Sequence, residues 1–287
     1  MRPIPKFQYH SPETLEDALS LLAELENASP VIGGTDLMIA MRNGVSIPDH
    51  IVDLNEISEL NYVKEEEGII MIGATATHAQ VASSPIVTKI PSLVDAVSRI
   101  GSPQIRNRGT ITGNICNASP AADSAPPLLV HIAEVEIQSP DGARVIPIAD
   151  LFAGPKINSL EPGELLTEIR IPVTPAGSAS SFKRIGRRKA FTLSVVSSAA
   201  YIQMEGETCT DAKVAFGSVA ITPIRVPEAE SLLSGSKLDE ETIQAASDAV
   251  YEAVKPITDI RGTAEYRKDM CPVLMRRAID QCMERMR

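Results

Sequence analysis

Two glycine-centred segments about eighty residues apart constrain this chain most: Pro30-Val-Ile-Gly-Gly-Thr-Asp-Leu37 and Gly109-Thr-Ile-Thr-Gly-Asn-Ile-Cys-Asn-Ala-Ser-Pro-Ala-Ala-Asp123. Each interrupts an apolar run with residues that let the backbone turn sharply and aim successive N–H groups at one spot. Thr, Asn and Asp flank them and lysine does not. The pair therefore suggests a dinucleotide pyrophosphate held by main-chain and hydroxyl donors.

Each segment also has a plainer reading. Gly33 and Gly34 follow a strand and precede a short helix, a place where an anion nest forms, and Thr35 adds a hydroxyl. Alternatively they make a tight strand–helix turn in which Asp36 is the N-cap. The segment has neither the G-x-G-x-x-G spacing of a Rossmann loop nor the Gly-Lys-Ser/Thr of a P-loop. In the second segment Thr110, Thr112, Gly113 and Asn114 follow Arg106 and Arg108, and Asn117, Ser119 and Asp123 come after. A loop this polar between apolar helices needs internal partners or a ligand. The alternative is an irregular loop in which Asn114 and Asp123 cap turns and Pro126-Pro127 starts a helix.

At 287 residues the chain favours two domains. Aromatics make up 3% with no tryptophan, so the cores must be built from Val, Ile, Leu, Ala and Met. A net charge of −10 argues against nucleic acid as a partner, because phosphate backbones want a basic face. Prolines at positions 3 and 5 occupy the place of a signal peptide's apolar stretch, and no apolar run is long enough for a membrane span. Cys116, Cys209, Cys271 and Cys282 are scattered without C-x-x-C spacing. They read as reduced cysteines of a cytoplasmic protein that carries no metal site or iron–sulfur cluster of its own.

The pattern along the chain is strand–helix–strand over the first fifty-odd residues. Ser11-Pro-Glu opens a helix whose apolar face is Leu15, Ala18, Leu19, Leu22 and Leu25. Strands follow at Pro30–Ile32 and Ile51–Leu54, with a short helix from Asp36 to Arg42 between them. A second segment has a strand at Gly68–Ile72, a helix from His78 capped by Thr77, and a helix over Pro91–Ile100. It continues with a hairpin over 134–148 turned by Ser139-Pro-Asp-Gly142, and a strand at Leu165–Ile171. Pro172–Ser178 reads as a linker. Strands at Ser194–Met204 and Ala212–Ile221 and helices at Asp239–Val254 and Thr263–Arg287 then suggest a separate α+β unit. The basic run Arg184, Arg187, Arg188 and Lys189 reads as a solvated strand edge, or as a surface for an acidic partner or an anionic acceptor such as a nicotinamide dinucleotide.

Five motifs in order resemble the FAD-binding (medium) subunit of molybdenum hydroxylases, the carbon monoxide dehydrogenase and xanthine dehydrogenase group. They are Val31-Ile-Gly-Gly-Thr-Asp-Leu37, Gln104-Ile-Arg-Asn-Arg-Gly-Thr-Ile-Thr-Gly-Asn114, Ala118-Ser-Pro-Ala-Ala-Asp123, Gly163-Glu-Leu-Leu166 and Arg261-Gly-Thr-Ala-Glu-Tyr-Arg267. The resemblance implies an α+β protein. A two-part FAD-binding domain of the PCMH/VAO type would span residues 1–175 (subdomains about 1–56 and 57–175), and a smaller C-terminal domain would span 179–287.

It further implies that Val31, Ile32, Gly33, Gly34, Thr35, Asp36 and Leu37 clasp the FAD pyrophosphate together with Thr110, Ile111, Thr112, Gly113 and Asn114. Asp123 would contact the flavin side, with Asn117 and Ser119 beside it. Leu165 would make an apolar contact, Lys183 would lie near the flavin ring, and Ile100 would cover the adenine without aromatic stacking. Some members carry His where Thr35 stands. No histidine or cysteine matches a covalent flavin attachment, so the FAD is expected to be non-covalent.

By the same resemblance, molybdenum cofactor and two [2Fe–2S] clusters sit on a large and a small partner subunit, in a heterotrimer that pairs. The chain would relay electrons from the clusters through FAD to a terminal acceptor, with no catalytic acid, base or nucleophile of its own. Two other readings stay open at this point: a self-contained FAD oxidoreductase of the wider fold, and a flavin-free bracing subunit.

Overall fold

The computed structural model describes residues 3–188 and 191–287, so Lys189 of the basic run lies outside the described residues. Three parallel strands, ordered Gln8–His10, His50–Asp53, Ala28–Val31, make the first sheet. Parallel neighbours need crossovers, which the helices Leu15–Glu24 and Leu37–Asn43 supply. The first helix starts later than Ser11. Thr14 is its N-cap, with a hydroxyl accepting from Asp17 N at 3.2 Å, and Glu16 and Asp17 place negative charge at the positive helix end. Ala18, Leu19 and Leu22 are its buried face.

The second sheet is antiparallel, ordered Val63–Glu66, Ile69–Gly73, Leu165–Pro172, Glu134–Ser139, Gly142–Pro147. Its hairpin turns where Ser139-Pro-Asp-Gly142 was expected to turn it, with Ser139 paired to Gly142. The unanticipated strand Val63–Glu66 lies at the edge, and its Lys64, Glu65 and Glu66 are the charges that keep edge strands from pairing further. Five short α-helices between strands Ile69–Gly73 and Glu134–Ser139 cover the sheet. Thr77 caps His78–Ser83 through a full capping box with Gln80.

The third sheet is antiparallel, ordered Ser178–Gly186, Ser194–Glu205, Thr208–Gly217, Ile224–Arg225. The helices Glu240–Ala253 and Ala264–Met286 take Asp239 and Thr263 as N-caps. The long helix packs on the first two strands of this sheet. Side chains alternate across strand Ser178–Gly186, as the period of two demands. Phe182 joins the core of the second sheet, together with Ala199, Tyr201 and Ala215. Ser181 on the other face donates to Ala278 O of the long helix at 2.7 Å. Polar contacts seal the join: Asp95 accepts from Phe182 N at 3.2 Å and from Arg285 Nη2 at 2.9 Å.

Candidate functional site

The first glycine segment leaves the edge strand of the parallel sheet. Val31 O accepts from Leu54 N at 3.0 Å, and Ile32 O accepts from the Asn55 side chain at 2.9 Å, so the strand end is fixed before the chain turns. Gly34 takes φ +66°, which an L side chain resists. Asp36 holds the N-cap position of helix Leu37–Asn43, but its exposed side chain makes no capping bond. Gly34 O accepts from Met38 N at 3.1 Å. The amides of Gly33, Gly34, Thr35 and Asp36 have no protein acceptor among the described residues.

The second segment is less of a loop than its composition indicates. Thr110 caps a helical turn, Ile111–Cys116, its hydroxyl accepting from Gly113 N at 3.0 Å. Ile111 and Ile115, one turn apart, are both fully buried and anchor that turn in the core. Asn114 caps nothing: its Oδ1 accepts from Ser124 Oγ at 2.6 Å. Thr112 is buried with its hydroxyl unpaired, and Gly113 is exposed. Asn117 ends the helix, and Ser119 Oγ accepts from Ala121 N at 3.2 Å. Pro126-Pro127 lies in the opening turn of helix Ala125–Val130.

The two segments meet. A Cβ on Gly33 would fall 2.6 Å from the Arg108 carbonyl carbon, 2.9 Å from Gly109 Cα and closer still to the Arg108 oxygen. A Cβ on Gly109 would lie 3.4 Å from Thr35 Oγ1. Both backbones are bare where they touch, and only glycine permits that approach. Unpaired amides on one segment, and on the other an unpaired buried hydroxyl and an exposed glycine three and four residues after this contact, fit a diphosphate that takes main-chain and hydroxyl donors.

Asp123 sits deeper, 5% exposed, between the second and third sheets. Arg184 Nη1 donates to its Oδ2 at 2.6 Å and Ser194 Oγ to its Oδ1 at 2.6 Å. Burial pushes its pKa up, and the Arg184 charge opposes that. The same guanidinium donates to Thr192 O at 3.3 Å. Ser218 N donates to Pro120 O at 2.7 Å, and buried Arg267 donates to Ser218 O at 3.0 Å and Val195 O at 3.1 Å. The Arg261–Arg267 stretch thus braces the segment carrying Asp123.

Three further residues expected at the cofactor have partners of their own in the protein. Lys183 lies on the opposite face of its strand from Arg184 and donates to Gln281 on the long helix, where burial lowers its pKa. Leu165 is 5% exposed and packs in an apolar cluster with Leu22, Leu54 and Leu60, against which Ile32 leans. Ile100 is half-buried, and its carbonyl accepts from Arg106 Nη1 at 3.1 Å.

Residue-by-residue reading misses Arg184 as the partner of Asp123, and it misses Phe191. Phe191 has φ +50°, is 56% exposed and lies 5.3 Å from the Arg188 guanidinium. With Gly101, Arg187, Leu193 and Arg261 it lines an open cleft of about 660 Å³. The available signal was an aromatic closing a basic run in a chain poor in aromatics.

Comparison with known proteins places this geometry. Residues 5–174 match the family described as FAD binding domain in molybdopterin dehydrogenase, and residues 180–282 match the CO dehydrogenase flavoprotein C-terminal domain. The carbon monoxide dehydrogenase medium chain of Afipia carboxidovorans is 36% identical over 97% of each chain. The xanthine dehydrogenase FAD-binding subunit of Escherichia coli O157:H7 is 34% identical over 96% of this chain and 95% of that one. A chain in a solved structure of carbon monoxide dehydrogenase from Hydrogenophaga pseudoflava superposes with TM-score 0.96 at 32% identity, covering 99% of both chains. The chain belongs to the FAD-binding (medium) subunits of the molybdenum hydroxylases, and its part in such an oxidoreductase is electron transfer through FAD.

Proposed function

We propose that the two glycine segments are the halves of one cradle for the FAD pyrophosphate, with Gly33–Asp36 on one side and Thr110–Asn114 on the other. The observation that carries this is the direct backbone contact of Gly33 with Arg108–Gly109. Main-chain N–H groups offset the phosphate charge, and the hydroxyls of Thr35 and Thr112 add neutral donors. Val31, Ile32, Leu37 and Ile100 give apolar edges, Ile100 toward the adenine. Asn117, Ser119 and Asp123 face the flavin end, with Arg184 and Ser194 fixing the Asp123 carboxylate. Leu165 acts through packing under Ile32, and Lys183 serves the join to the long helix.

Bound FAD accepts electrons singly and releases them as a pair, so it joins one-electron clusters to a two-electron acceptor. The chain's residues bind and orient it non-covalently. Burial pushes the thiols of Cys116, Cys271 and Cys282 up to about 12 and that of Cys209 up to about 11, so none supplies a thiolate nucleophile at neutral pH. We assign residues 1–175 to FAD binding and 179–287 to bracing it. The electrons come from a small [2Fe–2S] subunit fed by a large molybdenum subunit, in paired heterotrimers in the cytoplasm. Among the described residues, no helix is long and apolar enough to cross a membrane.

Gly113→Val tests the cradle. It puts a branched side chain on the exposed face of the helical turn and should abolish FAD retention with little change in fold by circular dichroism. Full flavin occupancy in that variant contradicts the placement. Turnover of an organic substrate by the isolated FAD-loaded chain would instead favour the self-contained oxidoreductase.

A further inference from the structure

A third element reaches the same spot. His78 is the first residue of helix His78–Ser83, and its main-chain N–H donates to Gly109 O at 2.9 Å. The position a Cβ would take on Gly109 is 3.4 Å from His78 Cδ2 and 3.4 Å from Thr35 Oγ1. The imidazole edge and the Thr35 hydroxyl therefore both lie against the bare face of Gly109. His78 is 2% exposed, and its Nδ1 is sealed without a partner. Nε2, bonded to the Cδ2 that faces Gly109, is not sealed and has no hydrogen-bond partner among the described residues. A buried polar side chain with neither nitrogen paired is costly and asks for a ligand. Burial, with the Arg106 charge, pushes the imidazole down to about 4, so at pH 7 the ring is neutral, with one N–H and one lone pair.

We propose that His78 is a positioning residue of the FAD site, donating from Nε2–H to a pyrophosphate oxygen between Thr35 and Gly109. This rests on the cradle reading above. The main-chain bond to Gly109 holds the segment in register, and the side chain completes the donor ring around the phosphates. The capping box fixes the backbone of His78, so the imidazole reaches the site without a loop rearrangement.

The test uses the full-length apo chain titrated with FAD, ADP and riboflavin. His78→Leu keeps the volume and removes the donor. It should weaken FAD and ADP about tenfold, the loss of one hydrogen bond to a charged group, and leave riboflavin unchanged. His78→Gln, whose amide nitrogen reaches near the Nε2 position, should stay within about threefold, whereas the shorter His78→Asn should not. That Gln–Asn pair decides the matter if the leucine variant does not fold. Wild-type ADP affinity in His78→Leu, or in His78→Asn, overturns the proposal. An equal loss for ADP and riboflavin also overturns it, because that marks a structural role only. Gly113→Val in the same titration separates the two ideas. If it abolishes FAD and ADP binding while His78→Leu does not, only the His78 role fails; if it leaves both intact, the cradle fails with it.

Discussion

Gly33→Ala probes the contact on which the cradle depends. The added methyl would sit 2.6 Å from the Arg108 carbonyl carbon and 2.9 Å from Gly109 Cα, both backbone atoms with no rotamer to yield. Carbon atoms pack at about 3.5–4.0 Å, so the segments must part by roughly 1 Å. Overpacking of this kind costs about 1–3 kcal/mol of stability, a fall of a few degrees in Tm for a chain of this size. The effect on FAD should be larger. Amides displaced by roughly 1 Å lose good geometry to a charged acceptor, and two such bonds at about 1.5–3 kcal/mol each correspond to at least a hundredfold in Kd. Quenching of flavin fluorescence on titration into the apo chain gives Kd, and a thermal melt gives the stability cost. A variant that melts a few degrees lower yet binds FAD within threefold of wild type would refute the idea that the two segments act on one diphosphate.

Arg184→Ala should destabilise the chain by about 3–5 kcal/mol in urea melts, because it leaves the 5% exposed Asp123 carboxylate without its cation. Asp123 already has its pKa raised by burial, and losing Arg184 raises it further. The folded variant then holds a proton that the unfolded chain releases above its ordinary 3.8, so the variant's deficit should grow from pH 5 to pH 8. Lys183→Ala, on the other face of that strand, should leave FAD affinity within about threefold, and loss of binding would show that the face assignment is wrong. Burial pushes His131 down to about 3 from an ordinary 6.5, so the unfolded chain gains a proton that the fold refuses as pH falls through that window. This residue alone should remove about 2 kcal/mol of stability between pH 7 and pH 5, and His131→Gln should flatten the urea-melt difference by that amount.

The elements readable from sequence are those whose signals are local. The capping residue Thr77 marks a helix start that the structure keeps, and Ser139-Pro-Asp-Gly142 marks its hairpin. Where two local signals compete, the reading slips: Ser11-Pro looks like a cap, but Thr14 finds the Asp17 amide. The helical turn Ile111–Cys116 was hidden because Gly113 and Asn114 are poor helix formers, and burial of Ile111 and Ile115 overrides them. The edge strand Val63–Glu66 carries charges that negate an alternating pattern. In the site, each glycine segment was legible, but their contact was not, since Gly33 and Arg108 meet only through the packing of two different sheets. Arg184 and Lys183 show the same limit. Adjacent basic residues on a strand differ in face by the strand's period, and only the third sheet's register decides which meets Asp123.

A crystal structure of the chain with FAD tests the central claim most directly. The account predicts both pyrophosphate phosphorus atoms within about 4 Å of amide nitrogens from Gly33–Asp36 and of donors from Thr110–Asn114 at once, about the reach of a hydrogen bond to a phosphate oxygen. Phosphates held by one segment alone, or in the Phe191 cleft away from both, would contradict it.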